Sequence, residues 1–142
     1  MRSELRARGN LSIQPIVSVL ITTYQSVSSL PMALASLVCQ TMPRWEAVVV
    51  DDASTDATPA WLASLTDPRI RVVRLDLNQG RGAALQRALQ KATGRFVCVL
   101  DADDWFYPEK LATQLRYFED HPELAVVHSA LAVFDRQDRP VG

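Results

Sequence analysis

The chain has 142 residues, of which 48% are apolar and 22% are charged. This length suits one domain with a hydrophobic core, and the apolar content argues against a disordered chain. The basic and acidic side chains nearly balance, with a formal net charge of -1. That balance argues against a general nucleic-acid binder, because such proteins carry a basic excess or a basic stripe.

The two cysteines, Cys39 and Cys98, lie in apolar segments and lack the Cys-x-x-Cys spacing. We interpret both as buried, reduced thiols, which is consistent with a cytoplasmic location. Residues 1–14 are polar and predict a flexible leader without the apolar core of a secretory signal. No apolar run approaches the roughly 18 residues of a membrane span. We therefore expect a cytoplasmic domain over residues 15–142.

Five apolar runs predict strands. The runs at residues 16–24 and 45–50 are nearly continuous, as expected for strands that are buried on both faces. Residues 69–75 alternate in polarity, which predicts a strand near the edge of a sheet. Residues 96–100 form another continuous run that predicts a central strand, and residues 124–134 form a final strand-like run.

Apolar residues at helical spacing separate these strands. The first predicted helix has Ser28 or Ser29 as its N-cap, and the second has Thr58 as its N-cap. The third helix follows a glycine-bearing turn at residues 78–82, and its predicted inner face is formed by Ala84, Leu85, Ala88, Leu89 and Ala92. The fourth helix begins near Pro108, and its predicted inner face is formed by Leu111, Leu115 and Phe118.

The alternation of strands and helices predicts an α/β fold: a Rossmann-like, doubly wound, mostly parallel sheet with helices on both faces. In such sheets, ligands bind beyond the carboxyl ends of the strands, where the strand order reverses. Polar residues end the first strand at residues 22–24, the second at 51–54 and the fourth at 101–104. If the first strand lies between the second and fourth, all three endings line one crevice.

Three carboxylates, Asp101, Asp103 and Asp104, stand within four positions of one another. Their repulsion has to be relieved by water, by raised pKa values or by a cation. Hard oxygen ligands in an Asp-x-Asp spacing suit Mg²⁺ or Mn²⁺. The alternative is a solvated turn in which an aspartate caps the next helix.

The other polar endings are also open to two interpretations. Asp51 and Asp52 suit either a turn before the next helix or a buried acceptor for the N–H groups of a nucleotide base. The turn at residues 78–82 contains one Gly-x-Gly, which is neither the dinucleotide fingerprint nor a P-loop. Arg81 in that turn is either a surface charge or a phosphate contact.

Taken together, these motifs resemble the nucleotide-binding half of family 2 glycosyltransferases, the group with the GT-A fold. The resemblance is carried by "ITTY", "VVVDDASTDAT", "NQGRGAA" and "LDADDWFYPEKL", in this order. The resemblance implies a nucleoside-diphosphate sugar as donor, with a UDP-sugar favoured, and inversion at the anomeric carbon. It also implies a metal cofactor, Mn²⁺ or Mg²⁺.

The resemblance assigns a role to each candidate residue. Thr22 and Tyr24 would line the base pocket, Asp52 would hydrogen-bond the base and Asp51 would support it. The acidic segment would contact the ribose through Asp103 and hold the metal on the diphosphate through Asp101, Asp103 and Asp104. Arg81 resembles a basic residue that some members place in the turn after the third strand.

The sequence departs from the family pattern in two places. Leu85 and Gln86 stand where other members carry an Arg-Asn pair. No acid matches the general base that an inverting displacement requires, and the acceptor-binding half of the family is expected to be missing from residues 15–142. We therefore expect this chain to bind a nucleotide with a metal but to transfer no sugar by itself.

Two other functions remain open from the sequence. A nucleotidyltransferase also uses carboxylates with Mg²⁺, but such enzymes usually carry a glycine-rich first loop with a basic residue, and residues 22–30 have neither. A non-catalytic module would bind a nucleotide, or would associate with itself through an unpaired sheet edge.

Overall fold

The computed structural model describes residues 14–135, 137 and 139–141 of the chain. Strands and helices alternate, in the order β1 (Val17–Thr23), α1 (Leu30–Val38), β2 (Trp45–Asp51), α2 (Thr58–Ala63), β3 (Ile70–Arg74), α3 (Arg81–Lys91), β4 (Phe96–Val99), α4 (Lys110–Asp120), β5 (Val133–Phe134) and β6 (Pro140–Val141). The predicted leader lies outside the described residues, except for Gln14. In the described part of the chain, no helix has both the length and the apolar character needed to cross a membrane.

The main sheet has four strands in the order β3-β2-β1-β4, and every pair in it is parallel. Strand β1 therefore lies between β2 and β4, as the sequence predicted. Val17 is level with Trp45 on one side and with Phe96 on the other, so the three strands begin together. Their carboxyl ends consequently reach the same edge of the sheet.

Helices cover both faces of this sheet and produce two apolar clusters. One face packs against α1, α2 and α4, with Leu34, Leu62 and Leu111 in the cluster. The other face packs against α3 through Ala84 and Ala88. Strand β2 is buried at each of its positions, because it has a strand on either side and helices on both faces. The doubly wound α/β arrangement predicted from the sequence is confirmed.

Strand β4 differs from the prediction of a central strand that is buried on both faces. It is four residues long and lies at the edge of the main sheet, where no strand of the described residues pairs with its outer side. Phe96 and Cys98 pack against the larger cluster, whereas Val97 and Val99 are 45% and 43% exposed. The apolar run predicted too much burial for this strand. A run of apolar residues does not indicate whether α3 covers the second face of the sheet at β4.

Several smaller predictions were also wrong. The run at residues 124–134 is strand only at β5, which pairs with β6 in a separate two-stranded antiparallel sheet. Leu89 is 53% exposed on α3, whose buried residues against the sheet are Ala84 and Ala88. Cys39 is exposed at the end of α1, while Cys98 is partly buried. Both thiols are free.

One of the two predicted helix caps is confirmed in position: Ser29 is the N-cap of α1, although its side chain makes no capping hydrogen bond. The other prediction was wrong, because Ala57 and not Thr58 is the N-cap of α2. Thr58 lies inside α2, and its hydroxyl accepts the backbone N–H of Ser26 at 3.1 Å. Asp56 accepts the N–H of Thr58 at 2.9 Å, as expected for a residue that prepares this helix.

A buried glutamate organises the amino end of the strands, opposite the acidic segment. Glu46 of β2 accepts hydrogen bonds from Ser18 at 2.7 Å and from the N–H and hydroxyl of Thr93 at 2.6 and 2.8 Å. Arg71 adds a salt bridge at 3.0 Å. Burial alone would raise the pKa of Glu46, but the hydrogen bonds and the arginine charge outweigh it and hold that pKa below its ordinary value. Glu46 thus joins three strands and the loop before β4.

Gly94 in that loop passes very close to β1. A Cβ atom there would lie 2.6 Å from the backbone nitrogen of Ser18 and 2.8 Å from the carbonyl carbon of Val17. Gly94 also donates its N–H to the Ser18 hydroxyl at 2.8 Å. The absence of a side chain is therefore what lets this loop dock on the central strand.

We expect Glu46→Gln to weaken the fold in a pH-dependent way. The folded-state pKa of Glu46 is lowered, so its contribution is present above the unfolded pKa and is lost as pH falls through the folded pKa. The substitution should cost about 1–3 kcal/mol of unfolding free energy near pH 7 and much less near pH 3. Urea unfolding across this pH range measures it, with the exposed Glu119→Gln as control. Equal losses at both pH values would contradict the assignment.

Gly94→Ala and Gly82→Ala form a matched pair. The Gly94 change should cost about 1–3 kcal/mol of unfolding free energy, because backbone atoms must move to admit the new methyl group. The Gly82 change in α3 meets nothing within 4 Å and should gain about 0.5 kcal/mol from helix propensity. Urea midpoints of the two variants should move in opposite directions, and similar midpoints would refute the packing argument.

Candidate functional site

An open crevice of about 380 Å³ lies beyond the carboxyl ends of the strands. Three loops and the start of α3 enclose it. Its lining residues come from the loop after β1, the end of β2, the first turn of α3 and the segment after β4: Thr22, Thr23, Tyr24, Gln25, Ser26, Ser28, Ser29, Asp52, Arg81, Ala84, Asp101, Ala102 and Asp103. The predicted meeting of three strand endings in one crevice is confirmed.

Most of the candidate residues named from the sequence lie around this crevice. Those that line it are Thr22, Tyr24, Asp52, Arg81, Asp101 and Asp103. Asp51 is buried behind it, with 1% of its surface exposed. Asp104 faces a neighbouring cavity instead. The structure therefore separates residues that can touch a ligand in the crevice from two that lie beside it.

Asp51 supports the loop that follows β2. One carboxylate oxygen accepts the N–H of Ser54 at 3.1 Å, and the other lies 3.8 Å from Nε of Arg74. Arg74 also donates to the carbonyl of Ser54 at 2.9 Å. Between them, Ala53 has a φ of 61°, a left-handed conformation that costs energy for a residue with a side chain. The ion pair and hydrogen bonds hold this bend at the edge of the crevice.

Asp52 fixes the glycine-bearing turn that precedes α3. Its two carboxylate oxygens accept the N–H groups of Gln79 and Gly80, each at 2.8 Å. Gly80 has a φ of 84°, which a side chain would strain, and it is the N-cap of α3. Asp52 is 4% exposed but still lines the crevice, and an ionised carboxylate has further acceptor capacity for a ligand.

Gln25 was not identified from the sequence, yet it ties together the loops after β1 and β2. Its side-chain oxygen accepts the N–H groups of Thr55 and Asp56 at 3.1 and 2.9 Å, and its amide donates to the Thr55 hydroxyl at 2.8 Å. Its own N–H donates to the Ser54 hydroxyl at 2.9 Å. The φ of Gln25 is 54°, and these contacts stabilise that strained conformation. Beside it, Tyr24 is 49% exposed at the crevice.

Arg81 and Asp101 form an ion pair between two walls of the crevice. Nη2 of Arg81, at the start of α3, lies 2.6 Å from Oδ1 of Asp101, which follows β4. The side chains are 62% and 44% exposed, so the pair lies at the surface. The hydrogen bond and charge of Asp101 raise the pKa of Arg81. Charged groups of opposite sign thus face a ligand at this end of the crevice.

The negative charges of the other two aspartates in this segment, Asp103 and Asp104, are less well balanced than that of Asp101. Burial first, and then the negative charges of Asp103 and Asp101, raise the pKa of Asp104. No three His, Cys, Asp or Glu side chains of the described residues form a ready-made metal cluster. The donor set is nevertheless one of hard carboxylate oxygens. It fits Mg²⁺ or Mn²⁺, which take one or two protein carboxylates and complete their shell with water and phosphate.

A second cavity, also of about 380 Å³, adjoins the acidic segment. Its walls are the start of α4, residues 104–107 and the segment at 129–134. Trp105 and Phe134 lie with their ring centroids 5.5 Å apart, and Trp105 is 43% exposed. This tryptophan is therefore at a rim, whereas Trp45 is buried in the core.

A family model described as Glycosyl transferase family 2 matches residues 18–140. The chain belongs to glycosyl transferase family 2. The match spans the four-stranded sheet and the crevice, so family membership rests on the part of the chain that carries the candidate site. The resemblance predicted from the motifs is confirmed.

Among family 2 relatives, the succinoglycan biosynthesis protein ExoO of Rhizobium meliloti is 41% identical over 97 residues, which cover 68% of this chain and 28% of that protein. The structure of S. aureus TarS (residues 1–349) with UDP-GlcNAc is 33% identical with a TM-score of 0.71, over 75% of this chain and 32% of TarS. The mannosyltransferase PcManGT of Pyrobaculum calidifontis with GDP-Man and Mn²⁺ is 31% identical with a TM-score of 0.67, over 76% and 33%. These neighbours confirm the GT-A fold.

The chain spans less than half the length of the curated relatives it matches: 28%, 42%, 45% and 34% of four of them. The family match at residues 18–140 contains the strands and the acidic segment of the crevice. The comparison therefore bears on the crevice, and not on the full activities of these longer proteins.

Proposed function

We propose that this chain supplies the donor-binding crevice of a metal-dependent, inverting family 2 glycosyltransferase that uses a nucleoside-diphosphate sugar. The observation that carries the proposal is the convergence of three strand endings on one crevice that is lined by both an aromatic ring and charged side chains. Tyr24 and Asp52 follow β1 and β2, whereas Arg81 begins α3 and Asp101 and Asp103 follow β4, and we assign these two groups of residues to the two ends of the ligand. A nucleoside diphosphate has the same division into a planar base and a charged group.

The base occupies the first end in this proposal. The exposed ring of Tyr24 offers a stacking surface, and Thr22 lines the same wall. Asp52 accepts an N–H of the base with the acceptor capacity that the 78–82 turn leaves free. Asp51 supports this wall from behind through the Ser54 loop.

The diphosphate occupies the second end. Arg81 provides a planar guanidinium, which suits paired phosphate oxygens. Asp101 and Asp103 line the crevice and would hold the divalent cation, and Asp103 would also contact the ribose. Asp104, the third carboxylate that the motif assigns to the metal, faces the neighbouring cavity. When bound, Mg²⁺ or Mn²⁺ offsets the negative charge that develops on the leaving diphosphate. The PcManGT neighbour is described with Mn²⁺, which supports a divalent metal as the cofactor.

A UDP-sugar is our favoured donor. The TarS neighbour is described with UDP-GlcNAc, while PcManGT is described with GDP-Man, so proteins similar to this chain bind nucleotide sugars with two kinds of base. The fold also supports an alternative without catalysis, because the outer edge of β4 exposes Val97 and Val99 and could pair with a second copy. The experiment below separates these two functions.

We expect UDP to bind the chain in the presence of Mn²⁺ more tightly than GDP or dTDP does, as measured by calorimetry. Asp103→Ala should weaken the Mn²⁺-dependent binding of UDP by about tenfold or more, because a carboxylate ligand is lost. Asp120→Ala, which removes an exposed carboxylate at the end of α4, is the control and should bind as the parent chain does.

Binding of none of these nucleotides, with or without Mn²⁺, would contradict the proposed function. Together with a stable dimer in solution, that result would favour the interaction module. Tighter binding of GDP than of UDP would overturn the choice of uridine and leave the donor-binding role in place.

We expect the purified chain to transfer no sugar from a UDP-sugar that it binds. The attack of an acceptor hydroxyl needs a carboxylate as general base, and the carboxylates that line the crevice, Asp52, Asp101 and Asp103, are all assigned to the donor. Radiolabelled donor, incubated with a panel of sugar and lipid-linked acceptors, measures transfer, and calorimetry on the same sample confirms donor binding. Transfer to any acceptor would overturn this expectation.

A further inference from the structure

The ion pair between Arg81 and Asp101 joins two groups that the donor would use separately. Arg81 is the cation assigned to the diphosphate, and Asp101 belongs to the carboxylates assigned to the metal. In the described structure these two groups satisfy each other at 2.6 Å. A cation that approaches Asp101 therefore competes with a guanidinium that already occupies one of its oxygens.

The backbone on both sides of this pair is held in place, while the side chains are free to exchange partners. Asp52 anchors the turn before Arg81 through the N–H groups of Gln79 and Gly80. The backbone of Asp101 follows Leu100, whose N–H donates to the carbonyl of Leu20 at 3.0 Å. The paired side chains themselves are 62% and 44% exposed, so water and a ligand can reach them.

We propose that the Arg81–Asp101 pair is an interlock that makes metal binding depend on the diphosphate. Without a donor, Arg81 neutralises Asp101 and opposes a divalent cation at the acidic segment. A diphosphate carries more negative charge than one carboxylate and accepts the guanidinium fork with several oxygens, so it draws Arg81 away. Asp101 is then released to the cation. This inference rests on the proposed donor-binding function.

The size of the effect follows from the exposure of the pair. Ion pairs between exposed side chains are weak, and the competition with a cation should therefore change its affinity by about two- to fivefold. A weak pair is what an interlock requires, because a diphosphate has to break it readily. Since coupling between two ligands is reciprocal, the cation also strengthens diphosphate binding by the same factor.

The test measures Mn²⁺ binding in the absence of nucleotide, by the electron paramagnetic resonance signal of the free ion. Arg81→Met should bind Mn²⁺ about two- to fivefold more tightly than the parent chain. Arg87→Met removes the same charge from the same helix, where the exposed side chain donates a hydrogen bond to Gln90, and it should change Mn²⁺ affinity little. Asp101→Asn tests the pair directly: adding Arg81→Met to Asp101→Asn should give no further gain.

An unchanged or weaker Mn²⁺ affinity in Arg81→Met would overturn the interlock. So would an equal gain in Arg87→Met, or an undiminished gain in the Asp101→Asn background, because either would indicate a general charge effect. UDP calorimetry on the same proteins separates this inference from the function on which it rests. If the parent chain binds UDP and the Mn²⁺ results fail, only the interlock is wrong, whereas failure of the parent chain to bind UDP contradicts the donor-binding function itself.

Discussion

The parallel pairing of β1 with both of its neighbours is the constraint on which the crevice depends. Because Thr23 is level with Asp51, and Leu20 is level with Val99, the three strands deliver their next residues to one edge of the sheet. Backbone hydrogen bonds extend this alignment past the strands: Asp52 donates its N–H to the carbonyl of Thr23 at 2.9 Å. A shift in the register of any of these strands would carry one wall of the crevice away from the other two.

The two ends of the sheet use buried carboxylates for different purposes. At the amino end, Glu46 is surrounded by donors from its own chain, and that network joins strands and a loop. At the carboxyl end, Asp52 also accepts two backbone N–H groups, but it lines an open crevice. The first arrangement is closed and stabilises the fold. The second positions a turn and still presents an acceptor to a ligand, as binding sites on rigid scaffolds generally do.

Electrostatics give the crevice its chemical character. Aspartates are concentrated after β4, and burial first, then the negative charges of its neighbours, raise the pKa of Asp104. One of them is balanced by Arg81 across the crevice. The proposed ligand would bring both a cation and phosphate oxygens, and would therefore satisfy the aspartates and Arg81 together.

The sequence by itself determined the order of the elements from β1 to α4, the parallel sheet and the charged residues of the crevice. These follow from local signals, since apolar periodicity marks each element and polar residues mark each strand end. Only the tertiary structure decided that β4 is a half-exposed edge, that Asp52 holds the turn 27 residues later, and that Gln25 ties two loops together 30 residues apart. It also decided that Arg81 pairs with Asp101. Each of these features depends on which distant segments of the chain lie side by side. The residue pattern within one segment does not indicate which other segment packs against it.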